Sequence, residues 1–480
     1  MYLGLDLGTS GLKGVLIDQN QSVVGHSTAT LNVQRPHSGW SEQQPADWLR
    51  AAEDVLDALA AQHDLSAVRG IGLSGQMHGA TLLDAADNVL RPCILWNDTR
   101  SHVQAAHMDA DPRFRDISGN IVFPGFTAPK LEWVRENEPQ IFDQIAKILL
   151  PKDYLRLWLT GEHVAEMSDA AGTSWLDTAA RDWSDDLLAA TGLDRSHMPR
   201  LVEGSQVSGW LRAELSSRWG FSNTVVVAGG GGDNAASAVG MGTVRAGDAF
   251  LSLGTSGVLF AANDSYAPDA ASAVHTFCHA LPNSWHQMGV ILAASDALNW
   301  FAKICDTTAP ALTAGLGDVQ APGSALFLPY LGGERTPHND AAVRGSFVGL
   351  EHAVDRSAMT RAVLEGVAFA FADCRDALAA TGTKLERATA VGGGSLSPHW
   401  LQIVANATGL ALDVPVSGDF GGAFGAARLG LMAAEGVGAE IATPPSIHHT
   451  VEPDRALVNA FEDAHARYRM ASTAIRSLNS

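Results

Sequence analysis

The sequence predicts an α/β protein of two domains, residues 1–243 and 244–480. Helix-like and strand-like patterns alternate along the chain. A strand–turn–strand unit, YLGLDLGTSGLKGVLID at 2–18, is echoed at the midpoint by AFLSLGTSGVLFAAN at 249–263. A chain of 480 residues also exceeds what one core usually organises. Each domain is therefore expected to open on the same hairpin and to carry its own core, with a boundary near 240–248. Gly240, Gly242 and Gly247 supply hinge freedom there.

The elements follow in order. Leu3, Leu5 and Leu7 alternate before a glycine-bearing turn, as in a β-hairpin. Asp47 is placed to cap a helix running to about Gln62, with Trp48, Ala52, Val55, Leu56 and Leu59 as its inner stripe. A strand at 70–74 leads into QMHGA and a short strand at 80–83. Val225 to Val227 form a buried strand ahead of Gly229–Gly232. Phe250, Leu251 and Leu253 precede the second turn, and Val258, Leu259 and Phe260 follow it. Met359, Val363, Gly366, Val367, Ala370, Phe371 and Cys374 share one helical face. Residues 388–392 read as a strand running into Gly392, Gly393 and Gly394, and 397–408 as a helix. GGAFGAARLGLMAAEG reads as a close-packed helix with small residues on one side. A polar helix closes the sequence from about Asp454.

Composition narrows the function. The formal charge of −20 argues against a broad nucleic-acid or membrane surface, since both partners are polyanions. A small anion held by backbone amides remains compatible with it. Hydrophobic residues at 46% and charged residues at 18% describe a globular protein. Cys93, Cys278, Cys305 and Cys374 form no CxxC pair, so buried free thiols in a reducing cytoplasm are expected. No basic segment followed by an apolar one opens the sequence, and no uncharged run is long enough to span a bilayer. GxxxxGK[ST], HExxH and GxSxG are absent.

Asp6 ends an apolar strand just before Gly8, Thr9, Ser10 and Gly11. A carboxylate there suits a hydrated Mg²⁺, a hard cation that prefers oxygen ligands. The turn offers backbone N–H groups and hydroxyls to phosphate oxygens, with Lys13 as a nearby cation. An ordinary hairpin carboxylate fits the same pattern. Gly254, Thr255, Ser256 and Gly257 repeat the donor set, but Ser252 stands where the first copy has Asp6. The two turns are suited to hold one polyphosphate between them. After the GGGG run, Asp233 reads as a positioned general base or as a helix cap beside Asn234. A Rossmann phosphate loop is disfavoured, because the spacing is not GxGxxG. His78 of GQMHG and Trp96 of LWNDTR follow strand ends and suit a polyol, although a packed loop histidine and indole would look alike. SDAAGTSW (168–175) and GGERTPHND (332–340) are polar, turn-rich loops. Cys278 and His279 lack metal-ligand spacing and read as packing.

Taken together, DLGTSGLK, GQMHGATLLD, LWNDTR, LPKDYLRLWLTGE, DAAGTSWLD, GGGDNAA, SLGTSG, FLPYLGGERTPHND and VGGGSLSPHW cover nearly the whole chain. In these segments the sequence resembles the FGGY carbohydrate kinases, of the actin/hexokinase/heat-shock-70 ATPase superfamily. The resemblance implies two ribonuclease-H-like domains about a deep cleft, with sugar on the N-terminal side and ATP on the C-terminal side. It implies Asp233 as general base, with Asp6 and Asp233 as the carboxylates near Mg²⁺. Gly8, Thr9, Ser10, Lys13, Gly254 and Thr255 fall at the phosphates, and Gly393, Gly394 and Ser395 at the adenosine. Met77, His78, Trp96, Asp233 and Asn234 fall at the sugar. The implied reaction is phosphorylation of D-xylulose at carbon five by MgATP, in a cytoplasmic homodimer. Another pentulose or polyol, such as ribulose or glycerol, or a non-catalytic nucleotide-binding protein are the alternatives. Related glycerol kinases carry a charged Arg-Glu pair where Met77 and His78 stand, which disfavours glycerol.

Overall fold

The computed structural model describes residues 1–416, 418 and 420–478. The alternating leucines form β1 (Tyr2–Leu7), and the chain returns as β2 (Gly11–Ile17), antiparallel, with Asp6 opposite Lys13. β3 (Val23–Thr30) pairs with β2. β4 (Gly70–Gly75) lies parallel to β1. β5 (Val207–Trp210), β6 (Val226–Ala228) and the two-residue β7 (Gly231–Gly232) complete a seven-stranded sheet. Its order is β5-β6-β4-β1-β2-β3, with β7 also paired to β4.

The second sheet repeats the plan with β8 (Ala249–Leu253), β9 (Gly257–Asn263), β10 (His275–Cys278), β11 (Trp285–Ile291), β12 (Arg387–Val391), β13 (Ala411–Pro415) and β14 (Ile447–Val451). Its order is β10-β11-β9-β8-β12-β13-β14. In each sheet the hairpin's first strand has its antiparallel mate on one side and a parallel strand on the other. The sequence echo is thus also an echo of topology.

The main helices on and around the sheets are α1 (Pro45–Ala60), α2 (Thr127–Asn137), α3 (Pro151–Thr160), α4 (Asp233–Met241), α5 (Ser295–Ile304), α6 (Arg356–Ala380), α7 (Pro398–Thr408), α8 (Gly422–Glu435) and α9 (Val458–Arg476). The inner stripe of α1 is buried against Leu3, Leu5 and Leu7. Asp47 does not cap it. Proline is pre-organised for the first helical position, so the helix starts at Pro45 with Gln44 at the cap and Asp47 inside the first turn. α9 begins at Val458, because Asp454 closes a turn by accepting the N–H of Ala456.

α8 follows the second sheet's first six strands in sequence but packs on the first sheet. Ala423, Phe424, Ala427 and Leu431 share an apolar cluster with Tyr2, Val15 and Ile17. A Cβ at Gly72 would fall on the carbonyl oxygen of Ala426, and one at Gly425 on that of Ala236 in α4. Backbone therefore lies directly on backbone at both contacts.

Fully separate cores are not found. One cluster joins Met77, Phe114 and Phe126 to Phe250, Phe260, Phe277 and Met288, because the apolar faces bordering the junction cover one another. Of the proposed hinge glycines, Gly242 (φ +69°) and Gly247 (φ +89°) use conformations that favour glycine. Gly240 lies within α4 and is small because the carbonyl of Phe420 sits where a Cβ would be. Cys93, Cys278 and Cys374 are buried free thiols, whereas Cys305 is half-buried. Among the described residues, no helix is long and apolar enough to cross a membrane.

Candidate active site

Asp6, on β1, accepts a hydrogen bond through Oδ1 from the Ser74 hydroxyl of β4 (2.8 Å). Its Oδ2 lies 2.9 Å from where a Cβ at Gly422 would stand, so the first residue of α8 leaves space for the carboxylate. Asp233 is the first residue of α4, and Gly232 takes the cap position. Oδ1 of Asp233 accepts the backbone N–H of Asn234 (2.7 Å) and its side-chain Nδ2 (2.9 Å). Burial, and then the charge of Asp6, push the Asp233 carboxyl up to about 6, against the opposing bonds from Asn234. A carboxylate tuned this way is ionised at neutral pH and basic enough to accept a proton.

The GQMHG loop is locked from several sides. His78 has φ +68°. Its carbonyl accepts from Lys130 Nζ (2.7 Å) and Thr127 Oγ1 (3.2 Å), both on α2. Its ring stacks on Phe126 at 4.6 Å. Nδ1 lies 2.7 Å from the Gly172 carbonyl. A carbonyl only accepts, so Nδ1 carries the proton and Nε2 is an acceptor. Burial and Lys130 hold the imidazole down at about 3, so it is neutral at working pH. Lys130 is itself buried, and desolvation lowers it to about 7. Met77 packs on Gly232, where an added Cβ would meet its Sδ at 2.9 Å.

Trp96 is 46% exposed, and its indole N–H donates to Thr9 Oγ1 at 3.0 Å. The Thr9 hydroxyl donates in turn to Gln76 Oε1 (3.0 Å), and the Thr9 carbonyl accepts from Gln43 Nε2 (2.8 Å). The first turn is thereby linked to the loop that carries Met77 and His78.

The second turn is held differently. The carbonyl of Gly254 accepts the N–H of Ser295 (2.9 Å), and that of Thr255 accepts from Ala294 (2.9 Å) and Asp296 (3.2 Å). A Cβ at Gly392 would lie 3.0 Å from Gly254 N, so the glycine segment after β12 abuts this turn. Gly393 and Gly394 line a cavity of about 530 Å³ with Ser295, Asn299, Pro310 and Trp400. Ser395 lines a different cavity, of about 460 Å³, with Asn234, Ser252 and Phe420. Its hydroxyl donates to the Gly392 carbonyl (2.7 Å).

The fold thus draws Asp6 and Asp233 together, joins Trp96 to Thr9, and gathers Gly254, Thr255, Gly393 and Gly394 elsewhere. Sequence reading missed Lys130, Phe126 and Arg335. Lys130 stands among the buried Ala128, Leu131 and Val134, and a lysine in that register was its only signal. Arg335 lies in the GGERTPHND loop. Its guanidinium sits 4.6 Å over the ring of Phe123 and bonds His275 (3.3 Å), so this loop reaches the aromatic wall behind His78. Cys278 and His279 are packed as expected, with His279 Nε2 near the Thr243 carbonyl (3.1 Å).

The oxygen ligands present suit a Mg²⁺ ion that keeps several waters and takes phosphate oxygens. Among the described residues, no group of three or more His, Cys, Asp or Glu could form an all-protein metal cage.

Comparison with known proteins gives a consistent result. Residues 1–240 match the N-terminal domain of the FGGY family of carbohydrate kinases, and 249–434 match its C-terminal domain. The chain is 51% identical over 437 residues to a xylulose kinase of Escherichia coli (strain K12), covering 90% of each. Among solved structures it superposes on a "xyloylose kinase" from Brucella ovis with a TM-score of 0.98 and 62% identity, over 99% of both chains. A xylulose kinase from Rhodospirillum rubrum superposes with a TM-score of 0.93 at 28% identity, again over 99% of both.

Proposed function

The chain belongs to the FGGY family of carbohydrate kinases, and from that premise we propose that it transfers the γ-phosphate of MgATP to the carbon-five hydroxyl of D-xylulose. The observation that carries the chemistry is the Asp6–Asp233 pair, one carboxylate at the end of β1 and the other opening α4. Phosphoryl transfer needs positioning and charge neutralisation more than covalent chemistry. Asp233 orients the hydroxyl and accepts its proton as the new O–P bond forms. Asp6, with Asp233 nearby, would hold Mg²⁺, which supplies positive charge against the phosphate oxygens.

On the first side, the Gly8–Ser10 turn and Lys13 receive phosphate oxygens. Gly254 and Thr255 receive them on the second, with adenosine at Gly393, Gly394 and Ser395. Met77, His78, Trp96 and Asn234 hold the sugar. His78 Nε2 accepts a sugar hydroxyl, and the half-exposed Trp96 indole covers the apolar side of the sugar. The division at residue 243 belongs to the same reading, with sugar held mainly by the first part and nucleotide by the second. A homodimeric state and a cytoplasmic location complete it.

ADP release with D-xylulose, D-ribulose and glycerol tests the assignment. The highest kcat/KM is expected with D-xylulose. A higher value with either other acceptor would overturn the substrate, and release with none would overturn the activity.

A further inference from the structure

The loop that delivers Asp233 is four glycines long, Gly229–Gly232, and has no side chains with which to fix itself. Glycine backbone is the most costly to order, so its position must be set from outside. Some anchors are backbone: Gly229 N–H to the Gln206 carbonyl and Gly230 N–H to the Gly204 carbonyl, each 2.8 Å, and the pairing of Gly231 and Gly232 with Ser74 and Gly75 of β4. Further anchors come from Ser168 and from a set of charged groups with no solvent exposure.

Arg156, on α3, donates from Nη1 to the Ala228 carbonyl (2.6 Å) and from Nη2 to the Gly229 carbonyl (2.5 Å). Its planar fork therefore spans two successive carbonyls at the loop's start. At the loop's end, the Gly232 N–H donates to Ser168 Oγ (3.0 Å). Ser168 Oγ donates to Glu166 Oε2 (2.8 Å), and Glu166 also receives the N–H groups of Ser168 (2.7 Å) and Asp169 (2.9 Å). Lys152 Nζ closes the set, 2.8 Å from Asp153, 2.9 Å from Asp169 and 3.3 Å from Glu166. Arg156 reaches Asp153 at 3.3 Å. The side chains in these ion pairs are fully buried.

We propose that Lys152, Asp153, Arg156, Glu166 and Asp169 form a rigid ionic support that, through Arg156 and Ser168, sets the Gly229–Gly232 loop and so the position of Asp233. This rests on Asp233 being the base. A buried ionic set is a poor source of net stability, since desolvation offsets its attraction, but its bonds are short and directional. Burial pushes the Asp169 carboxyl up, which brings the set toward two cations against two carboxylates. Gly232 is held on its other side by Met77, so the residue before the base is gripped between Ser168 and Met77. Ser168 and Arg156 are positioning residues. They touch the loop, and the loop carries the carboxylate.

The test uses Ser168→Ala, which cuts the link to Gly232 and leaves the ion pairs in place. Misplacing a reacting group by about 1 Å costs up to roughly 10²-fold in rate. The expected result is a kcat lower by about 10–10²-fold, with KM for ATP and for D-xylulose within about threefold and an unchanged folded fraction. Asp233→Asn and the double variant complete a cycle. If Ser168 acts through Asp233, the double variant is no slower than Asp233→Asn alone. Wild-type kcat in Ser168→Ala overturns the proposal, as does a loss confined to KM, or a full additional loss on top of Asp233→Asn. Near-normal turnover in Asp233→Asn instead removes the base reading on which the proposal stands. Arg156→Lys, which keeps the charge but not the fork, is a second variant expected to lower kcat with KM retained. Wild-type kcat there overturns the role of Arg156.

Discussion

The two glycine turns share a backbone plan and differ in what holds them. Side chains add to the main-chain bond from Leu31 N–H to the Ser10 carbonyl in bracing the first: Gln43, Gln76 and Trp96 all bond to Thr9. The second is braced by main-chain N–H groups of Ala294, Ser295 and Asp296, which exist whatever the side chains are. Asp6 precedes the first turn, and Ser252 occupies the matching place before the second. The repeated strand–turn–strand unit is thus braced in two different ways. The first is wired by replaceable groups to the loop carrying Met77 and His78. The second, which the proposed function makes an anion cradle, abuts the glycine segment after β12.

The strongest way to sharpen this contrast is to remove the proposed base. Asp233→Asn should lower kcat by about 10²–10⁴-fold while nucleotide still binds, as read by calorimetry with ADP. Turnover within tenfold of wild type would overturn Asp233 as the proton acceptor. Next come the matched positions before the turns. Asp6→Asn should lower kcat by about 10–10²-fold, whereas Ser252→Ala should change it less than about threefold. Asp6→Asn also removes a negative neighbour from Asp233. The acid limb of its kcat/KM profile, expected near the Asp233 value of about 6, should therefore move to lower pH. Equal losses at the two positions would break the comparison.

A smaller effect is expected at His78, on the proposed sugar side. His78→Asn tolerates the positive φ but loses the Nε2 acceptor, so KM for D-xylulose should rise about three- to tenfold and KM for ATP much less. An equal rise for both ligands would mean that this loop supports the fold and not one ligand.

The smallest effect concerns stability. The Asp233 carboxyl is raised from 3.8 to about 6 in the folded state. Such a group contributes stability that is fully present below its unfolded pKa and is lost as pH rises through about 6. At pH 7.5 the ionised group is therefore a burden, and Asp233→Asn should raise Tm by about 2–4 °C. The gap should close near pH 4. A Tm difference independent of pH would remove the buried-charge explanation.

Local rules were enough for the hairpins, for the α1 stripe, and for the long α6 with its buried Val363, Val367, Phe371 and Cys374. They failed where the decisive contact is far away in sequence. The small-residue stripe of α8 was visible, but nothing local told that it would lie on Gly72 and Ala236. Lys130 looked like one more helical lysine until the carbonyl of His78 reached it. Ser168 stood in a plain polar loop, and its bond to Gly232 spans 64 positions. The places of Asp6 at a strand end and of Asp233 after a glycine run were legible, but local pattern fitted a hairpin carboxylate and a helix cap equally, and their roles came only from the resemblance. The buried ion pairs of Lys152 and Arg156 were not legible, since charged residues usually signal surface.

The seating of α8 on the first sheet also has a consequence in time. Tyr2, Val15 and Ile17 are covered by a helix that a ribosome makes last among the elements of that layer. At roughly 5–20 residues per second, about 10–40 s separate the end of residue 243 from the arrival of α8. Through that interval the strip of the first sheet at Tyr2, Val15 and Ile17 lacks the helix that covers it. The N-terminal half is therefore an unfinished layer during synthesis, and its completion is tied to translation of nearly the whole chain.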